Sequence, residues 1–389
     1  MSNSIRWPGK AALMVAHCAG MVDLVALPVW VGTLISEYQF DPQQAGGLAT
    51  LFLVGAVISS LLFSRKFNVL NGRLVAPMAF ACAGVAFFLI SSFSQYFSMA
   101  LLHVLAGISV GCGLSFTHGT IGRSLTPHRM FALVGMALGL FTIVFLAGTP
   151  LLIAKFGGSA LFWTFGGIMC FSAVVTAIAF PKTEIVPQET IKQLPKFNDP
   201  AVISCILAIG CMALVQAMIF SFLEHIGIER GFGMNAISGV LIALGFVNLF
   251  PAVLAALLEK RWSPKKVVLT GPFLQAVLAL LISQSPFFAG YVIGALFFAG
   301  VLIFTHTFAF GMLAKLDISG RAVAATPAML MTGSAIGPLL GGTLVKDFGY
   351  IGLGVCTVLF AAVSILCFYI SSRSSKQWHM PILAKAKHG

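Results

Sequence analysis

One carboxylate stands deep inside an apolar run of this sequence: Asp23, in the stretch Met21-Val-Asp-Leu-Val-Ala-Leu-Pro28. A carboxylic acid in low dielectric can load and release a proton near neutral pH, which makes Asp23 the first candidate for proton coupling. Trp30 follows seven residues later, on the same face of a helix, and is a candidate contact for a solute that approaches the acid. Histidine titrates in the physiological range and donates hydrogen bonds, so His118 in Phe116-Thr117-His118 and His306 in Phe304-Thr305-His306 are candidates for binding a solute or a proton. The competing reading packs both rings near helix ends, bonded to backbone or water. Gln216 and Asn248 can hydrogen-bond a solute, although polar side chains also hold membrane helices together. His17 falls roughly 120° around a helix from Asp23, which assigns it a structural role. Glu224-His225 is expected at a solvated helix end, with an outer gate charge as the alternative. These residues do not supply enough converging ligands for a metal site. No GxxxxGK[ST], HExxH or GxSxG pattern occurs, so nucleotide-driven and enzymatic readings have no support and no cofactor is expected.

The elements that must position these groups follow from composition. Charged residues make up 9% of the 389, hydrophobic residues 59%, and the mean hydropathy is +1.00. A soluble domain carries about 25% charge, so this chain has too little to cover a water-facing surface. A span needs about 20 mostly apolar residues. The hydrophobic runs predict twelve spans, at 11–36, 43–64, 73–93, 96–122, 130–154, 159–180, 200–227, 235–258, 265–284, 286–314, 322–345 and 350–371. Asp41-Pro42, Asp199-Pro200, Ser263-Pro264 and Ser285-Pro286 mark starts, since Asp or Ser caps free N–H groups and proline suits the first turn. The first run is long enough to span and reads as helix one, not as a cleaved signal. All eight cysteines lie inside apolar runs, where they pack as small hydrophobes, and no disulfide is expected.

The positive charge has a place in this scheme. With the N-terminus in the cytoplasm, twenty of the 23 Lys and Arg residues fall on the cytoplasmic side, and only Lys155, Arg230 and Lys346 fall outside. The net charge of +12 is therefore a topology signal and not a nucleic-acid surface. Both termini fall on the basic side, which requires an even number of spans.

A polar stretch from Pro181 to Asp199 divides the chain. It predicts a six-helix bundle over 1–180, a cytoplasmic linker over 181–199, a second six-helix bundle over 200–372 and a cytoplasmic tail over 373–389. The two halves repeat each other in order. Phe116-Thr117-His118 returns as Phe304-Thr305-His306, and Pro150-Leu151-Leu152 as Pro338-Leu339-Leu340, both offset by 188. Pro77 matches Pro272, and Cys18 through Asp23 resembles Cys211 through Gln216. The fold class is thus an all-α membrane protein of two pseudo-symmetric bundles, six spans each, a transporter architecture.

Several motifs resemble those of the major facilitator superfamily, and the likeness in length, span count and linker position covers the whole chain. Gly333-Ser-Ala-Ile-Gly337-Pro338-Leu-Leu-Gly341-Gly342 resembles the family's GxxxGPxxGG element in span 11, and Gly148-Thr149-Pro150 is a reduced form of it in span 5. The loop after span 2 keeps the family's basic residues, Arg65, Lys66 and Arg73, but lacks its aspartate. Span 4 reads His103-Val-Leu-Ala-Gly107-Ile-Ser-Val-Gly111 where the family has R-x-x-x-G-x-x-x-G, so His103 stands in the place of an arginine used in coupling. Asp23 through Pro28 resembles the start of the 12-span drug/proton antiporters. The resemblance implies that spans 1, 4, 7 and 10 line a central cavity, that His103 shares proton coupling with Asp23, and that Gly107, Gly111, Pro150, Gly337, Pro338, Arg65 and Lys66 serve helix packing and gating.

The expected function is proton-coupled secondary transport of a small organic solute by alternating access, with efflux as its direction. Proton-symport uptake of a nutrient or a metal chelate such as a siderophore is the alternative. A non-transporting receptor or channel subunit is the rival of another class. The expected partners are the solute, protons and the lipid bilayer. The expected state is a monomer, multi-pass in a bacterial inner membrane with both termini cytoplasmic.

Overall fold

Apolar runs of this length in lipid must satisfy their backbone within the segment, which leaves the helix as the solution for a chain without strand alternation. In the computed structural model, residues 5–66, 70–122, 124, 127–182, 199–258, 261–316 and 326–377 are described, and every element among them is a helix. Most of the expected linker and tail, and the side chains of Arg65 and Lys66, lie outside the described residues.

Among the described residues, twelve spans can be traced. Spans 2 to 6 are Pro42–Lys66, Gly72–Ile90, Tyr96–Gly122, Pro127–Phe156 and Ser159–Ala179. Spans 9 and 10 are Pro264–Gln284 and Phe288–Leu316. Spans 11 and 12 form one helical run, Thr326–Gln377, that turns through a single residue, Gly349 at φ 63°. That left-handed conformation favours glycine, and a Cβ there would meet open space, so the constraint lies in the backbone alone.

Three of the described spans are broken. Span 1 is Trp7–Gly20 followed by Val22–Ser36, span 7 is Pro200–Phe220 followed by Leu223–Glu229, and span 8 is Met234–Val247 followed by Phe250–Leu258. Met21 (φ −111°, ψ 23°) and Phe222 (φ −104°, ψ 7°) leave helical geometry in nearly the same way, in the sparsely allowed bridge region.

Both bundle halves are packed by backbone approach. A methyl at Gly107 or Gly111 in span 4 would overlap the carbonyls of Phe52 or Ala56 in span 2. In the second half, Gly333 and Gly337 of span 11 meet the backbone of span 7 at Gly210 and Leu214 in the same manner. Small residues let helices approach in lipid, where water supplies no hydrophobic drive. The starts of spans 1 and 3 lie together at the end of span 6, since Gly9 faces Pro181 and the Arg73 guanidinium donates to the Phe180 carbonyl at 2.9 Å. This end of the bundle, which carries the linker, is the linker side; the opposite end is the far side.

Candidate functional site

The break in span 1 sets the position of Asp23. A helix that restarts at Val22 has free N–H groups in its first turn, and an acid there is favoured. The Leu24 N–H donates to the Met21 carbonyl at 3.2 Å, which closes the turn at the break. Asp23 is 3% exposed, and its Oδ1 has no hydrogen-bond partner. Beside it, Met21 belongs to one buried cluster with Ala56 of span 2, Leu114 of span 4 and Met331 of span 11, so side chains of both halves gather near the break. Gly20 admits the approach of span 4, because a side chain there would run into Leu114.

The other candidates fall into separate places. Trp30 is fully buried among rings: Phe165 at 4.8 Å, Phe52 at 5.1 Å, His103 at 5.6 Å and Phe87 at 6.1 Å between centroids. His103 is also fully buried, with Nδ1 bonded to the Met99 carbonyl at 2.6 Å. That bond places the proton on Nδ1 and leaves Nε2 as an acceptor without a partner. Two helical turns, about 10 Å, separate Asp23 from Trp30, so the acid and His103 sit at different depths.

His118 meets a residue that the sequence assigned only a structural role. His17 Nδ1 and His118 Nε2 share a hydrogen bond of 2.9 Å, with ring centroids 5.1 Å apart. His306 stacks on Phe310 at 4.9 Å, and its Nδ1 is buried without a partner. Gln216 accepts from Gln275 Nε2 at 3.4 Å, and Gln275 also donates to the Met212 carbonyl at 3.1 Å. Asn248 stands at the break in span 8, and its Oδ1 has no partner. Among the described residues, no three His, Cys, Asp or Glu side chains converge as metal ligands.

Glu224 departs from its expected place at a solvated helix end. It is 5% exposed, because span 7 breaks at Phe222 and turns Glu224 onto span 1 at Gly32. His225 pairs instead with Glu229 at 3.1 Å. A polar residue, Ser221, just before an acid in an otherwise apolar run was the available signal.

The halves meet on the far side, chiefly through spans 2 and 11. A methyl at Gly46 would overlap the Pro338 carbonyl, and one at Gly342 would overlap the Pro42 carbonyl. The Leu339 N–H, next to the proline, donates to Thr50 Oγ1 at 3.0 Å. Gln43 donates to Thr343 Oγ1 at 3.3 Å, and Lys346 pairs with Asp41 at 2.9 Å. Slight burial pushes the Asp41 carboxyl up. The Gln44 N–H, the Lys346 ammonium and the Gln43 N–H outweigh it and hold the group below its usual value. Pro150 lies within the unbroken span 5, which meets span 8 deeper in the bundle, with Gly245 against Ile143 and Gly139 against Leu249.

Comparison with known proteins fits this geometry. No curated protein matches the chain. Its fold is similar to that of a bacterial homolog of the human lysosomal transporter Spinster in an inward-facing, occupied conformation, with TM-score 0.76, 14% identity, and 96% of this chain and 98% of that chain covered. It is also similar to a D-xylose–proton symporter, with TM-score 0.72, 14% identity, and 93% and 97% covered. A mutant of the nucleoside transporter NupG gives TM-score 0.70, 14% identity, and 94% and 99% covered. The model of the Major Facilitator Superfamily matches residues 12–258, more than half of the chain, and with two six-span halves meeting across spans 2 and 11 the chain belongs to that family.

Proposed function

We propose that the chain is a proton-coupled secondary active transporter of a small organic solute, working by alternating access, with Asp23 binding the coupled proton. The observation that carries this reading is the placement of Asp23: a buried acid with an unpartnered oxygen, at a broken turn beside a buried cluster drawn from both halves. An unpaired charge is costly at that depth, so such a group is kept for a function.

Among the described residues no Lys or Arg is buried, so a strongly anionic solute finds no counter-charge. A neutral, weakly polar or cationic amphipathic solute suits the aromatic and amide-rich interior. Efflux is the proposed direction, on the likeness of Asp23 through Pro28 to antiporter sequences. Proton-driven uptake is the second reading, supported by the fold shared with a protein named as a proton symporter. The transporter acts as a monomer in a bacterial inner membrane, with the linker side cytoplasmic because the basic residues gather there.

Asp23→Asn tests the reading. Asparagine keeps the size and hydrogen bonding of the acid but cannot titrate. In proteoliposomes the variant should lose accumulation driven by a pH gradient while keeping solute binding or exchange, and Asp23→Glu should retain part of the activity. Full gradient-driven accumulation by the Asn variant would remove Asp23 from the cycle.

A further inference from the structure

Span 7 carries a second buried acid in a setting that parallels the first. Asp23 and Glu224 each stand two residues beyond the residue that breaks their span, Met21 and Phe222. Glu224 belongs to the contact between halves: its Oε1 lies against Gly32 of span 1, at a point where any side chain would collide with it. No hydrogen bond or ion pair is found to Glu224 among the described residues, although it is nearly enclosed.

The surroundings contain little that would hold a negative charge. Span 10 brings Tyr291 near, but its hydroxyl donates to the Leu223 carbonyl at 2.8 Å. Span 1 contributes Gly32, and its own acid, Asp23, lies nine residues back toward the linker side. The first segment of span 8 has no charged residue, and the lysines of span 9, Lys265 and Lys266, sit at its opposite end. On the same segment, His225 is engaged with Glu229, and Arg230 donates to the Ser283 carbonyl at 2.6 Å.

We propose that Glu224 is a second proton-binding residue of the transport cycle, loaded from the far side when that side is open and sealed against Gly32 when it closes. Closing the far side strips water from the carboxyl and offers no partner, so the closed contact accepts the neutral acid and resists the ionised one. Opening rehydrates the group and lets it release or take a proton there. Closure and proton uptake are then linked, and raising the pH favours the open far side. The proposal shares with the Asp23 reading only the premise that the halves alternate.

The test is a distance measurement across the far side. Ser94→Cys in the loop after span 3 and Asn235→Cys at the start of span 8 are both exposed and carry spin labels, in a background with the eight native cysteines replaced. In the parent, the open-to-closed ratio should rise by up to about tenfold per pH unit within the titration window, between about pH 5 and pH 9. Glu224→Gln should stay closed throughout, and Glu224→Met, of similar length and apolar, should do the same should the amide variant misfold. Gly135→Ala, where a Cβ meets open space, should keep the parent's response. The Asp41–Lys346 pair weakens in acid below this window and with the opposite sign, so it does not imitate the effect. A parent without a pH response, or a Glu224 variant that opens like the parent, overturns the proposal. Failure of Asp23 in the flux assay leaves this result standing, and the converse also holds.

Discussion

His17 Nδ1 and His118 Nε2 lie 2.9 Å apart, so spans 1 and 4 are joined on the linker side of the Asp23 break by two imidazoles that each satisfy the other. One ring donates and the other accepts, which fixes their tautomers together. His118→Ala should leave a His17 nitrogen without its partner and cost about 1–3 kcal/mol. The double variant His17→Ala, His118→Ala should cost less than the sum of the single changes. Thermal unfolding of the four purified proteins checks this. His306→Ala removes a stacked ring with no comparable partner and should not couple to either residue.

The far-side seal between spans 2 and 11 is sensitive to one methyl group. Gly46→Ala and Gly342→Ala each drive a Cβ into a backbone carbonyl of the other half, and backbone cannot step aside as a side chain can. Each change should disfavour the closed far side by about 1–3 kcal/mol and populate the state open to the far side. Spin-label distances across the far side read this directly. Gly135→Ala, where a Cβ meets open space, should leave the distribution unchanged.

The Asp41–Lys346 pair has a definite pH sign. The Asp41 carboxyl is held below its usual value of 3.8 in the closed contact, so its contribution is complete above that value and fades as the pH falls through the lower one. Both side chains are more than a third exposed, and solvent screening limits the pair to under about 1 kcal/mol. Asp41→Asn should therefore lower the melting temperature slightly at neutral pH, and the difference should vanish as the pH falls through the lowered value. A larger loss that persists in acid would mean that the Gln44 cap, and not the ion pair, is the main contribution.

Orientation is open to direct labelling. With the linker side cytoplasmic, a membrane-impermeant thiol reagent applied to intact cells should label Asn235→Cys and miss Glu189→Cys. The reverse pattern would invert the assignment of both sides.

The spans were legible because lipid demands long apolar runs. Asp41-Pro42 and Asp199-Pro200 mark starts with capping carboxylates, Ser263-Pro264 marks one without a side-chain cap, and span 10 begins at Phe288, just past Ser285-Pro286. The expected span 8, 235–258, matches the observed Met234 to Leu258 in extent but not in continuity. Breaks at Met21 and Phe222 have no compositional signature, because an apolar residue in an apolar run gives no sign that its backbone leaves the helix. That gap undercuts the angular argument used for His17. Measuring its angle from Asp23 assumed one continuous helix, whereas the two residues lie in different segments on either side of Met21. Glu224 was obscured in the same way, since an acid near the end of a run looks solvated until the break places it against Gly32.

Gly349 joins the last two spans through one residue, with no loop between them. A connector that short stores no slack. When span 11 leaves span 2, span 12 is hauled along at its far-side end, and the lipid-facing edge of the second half moves with the gate. Transport by the protein in vesicles of different acyl-chain length should therefore vary with bilayer thickness.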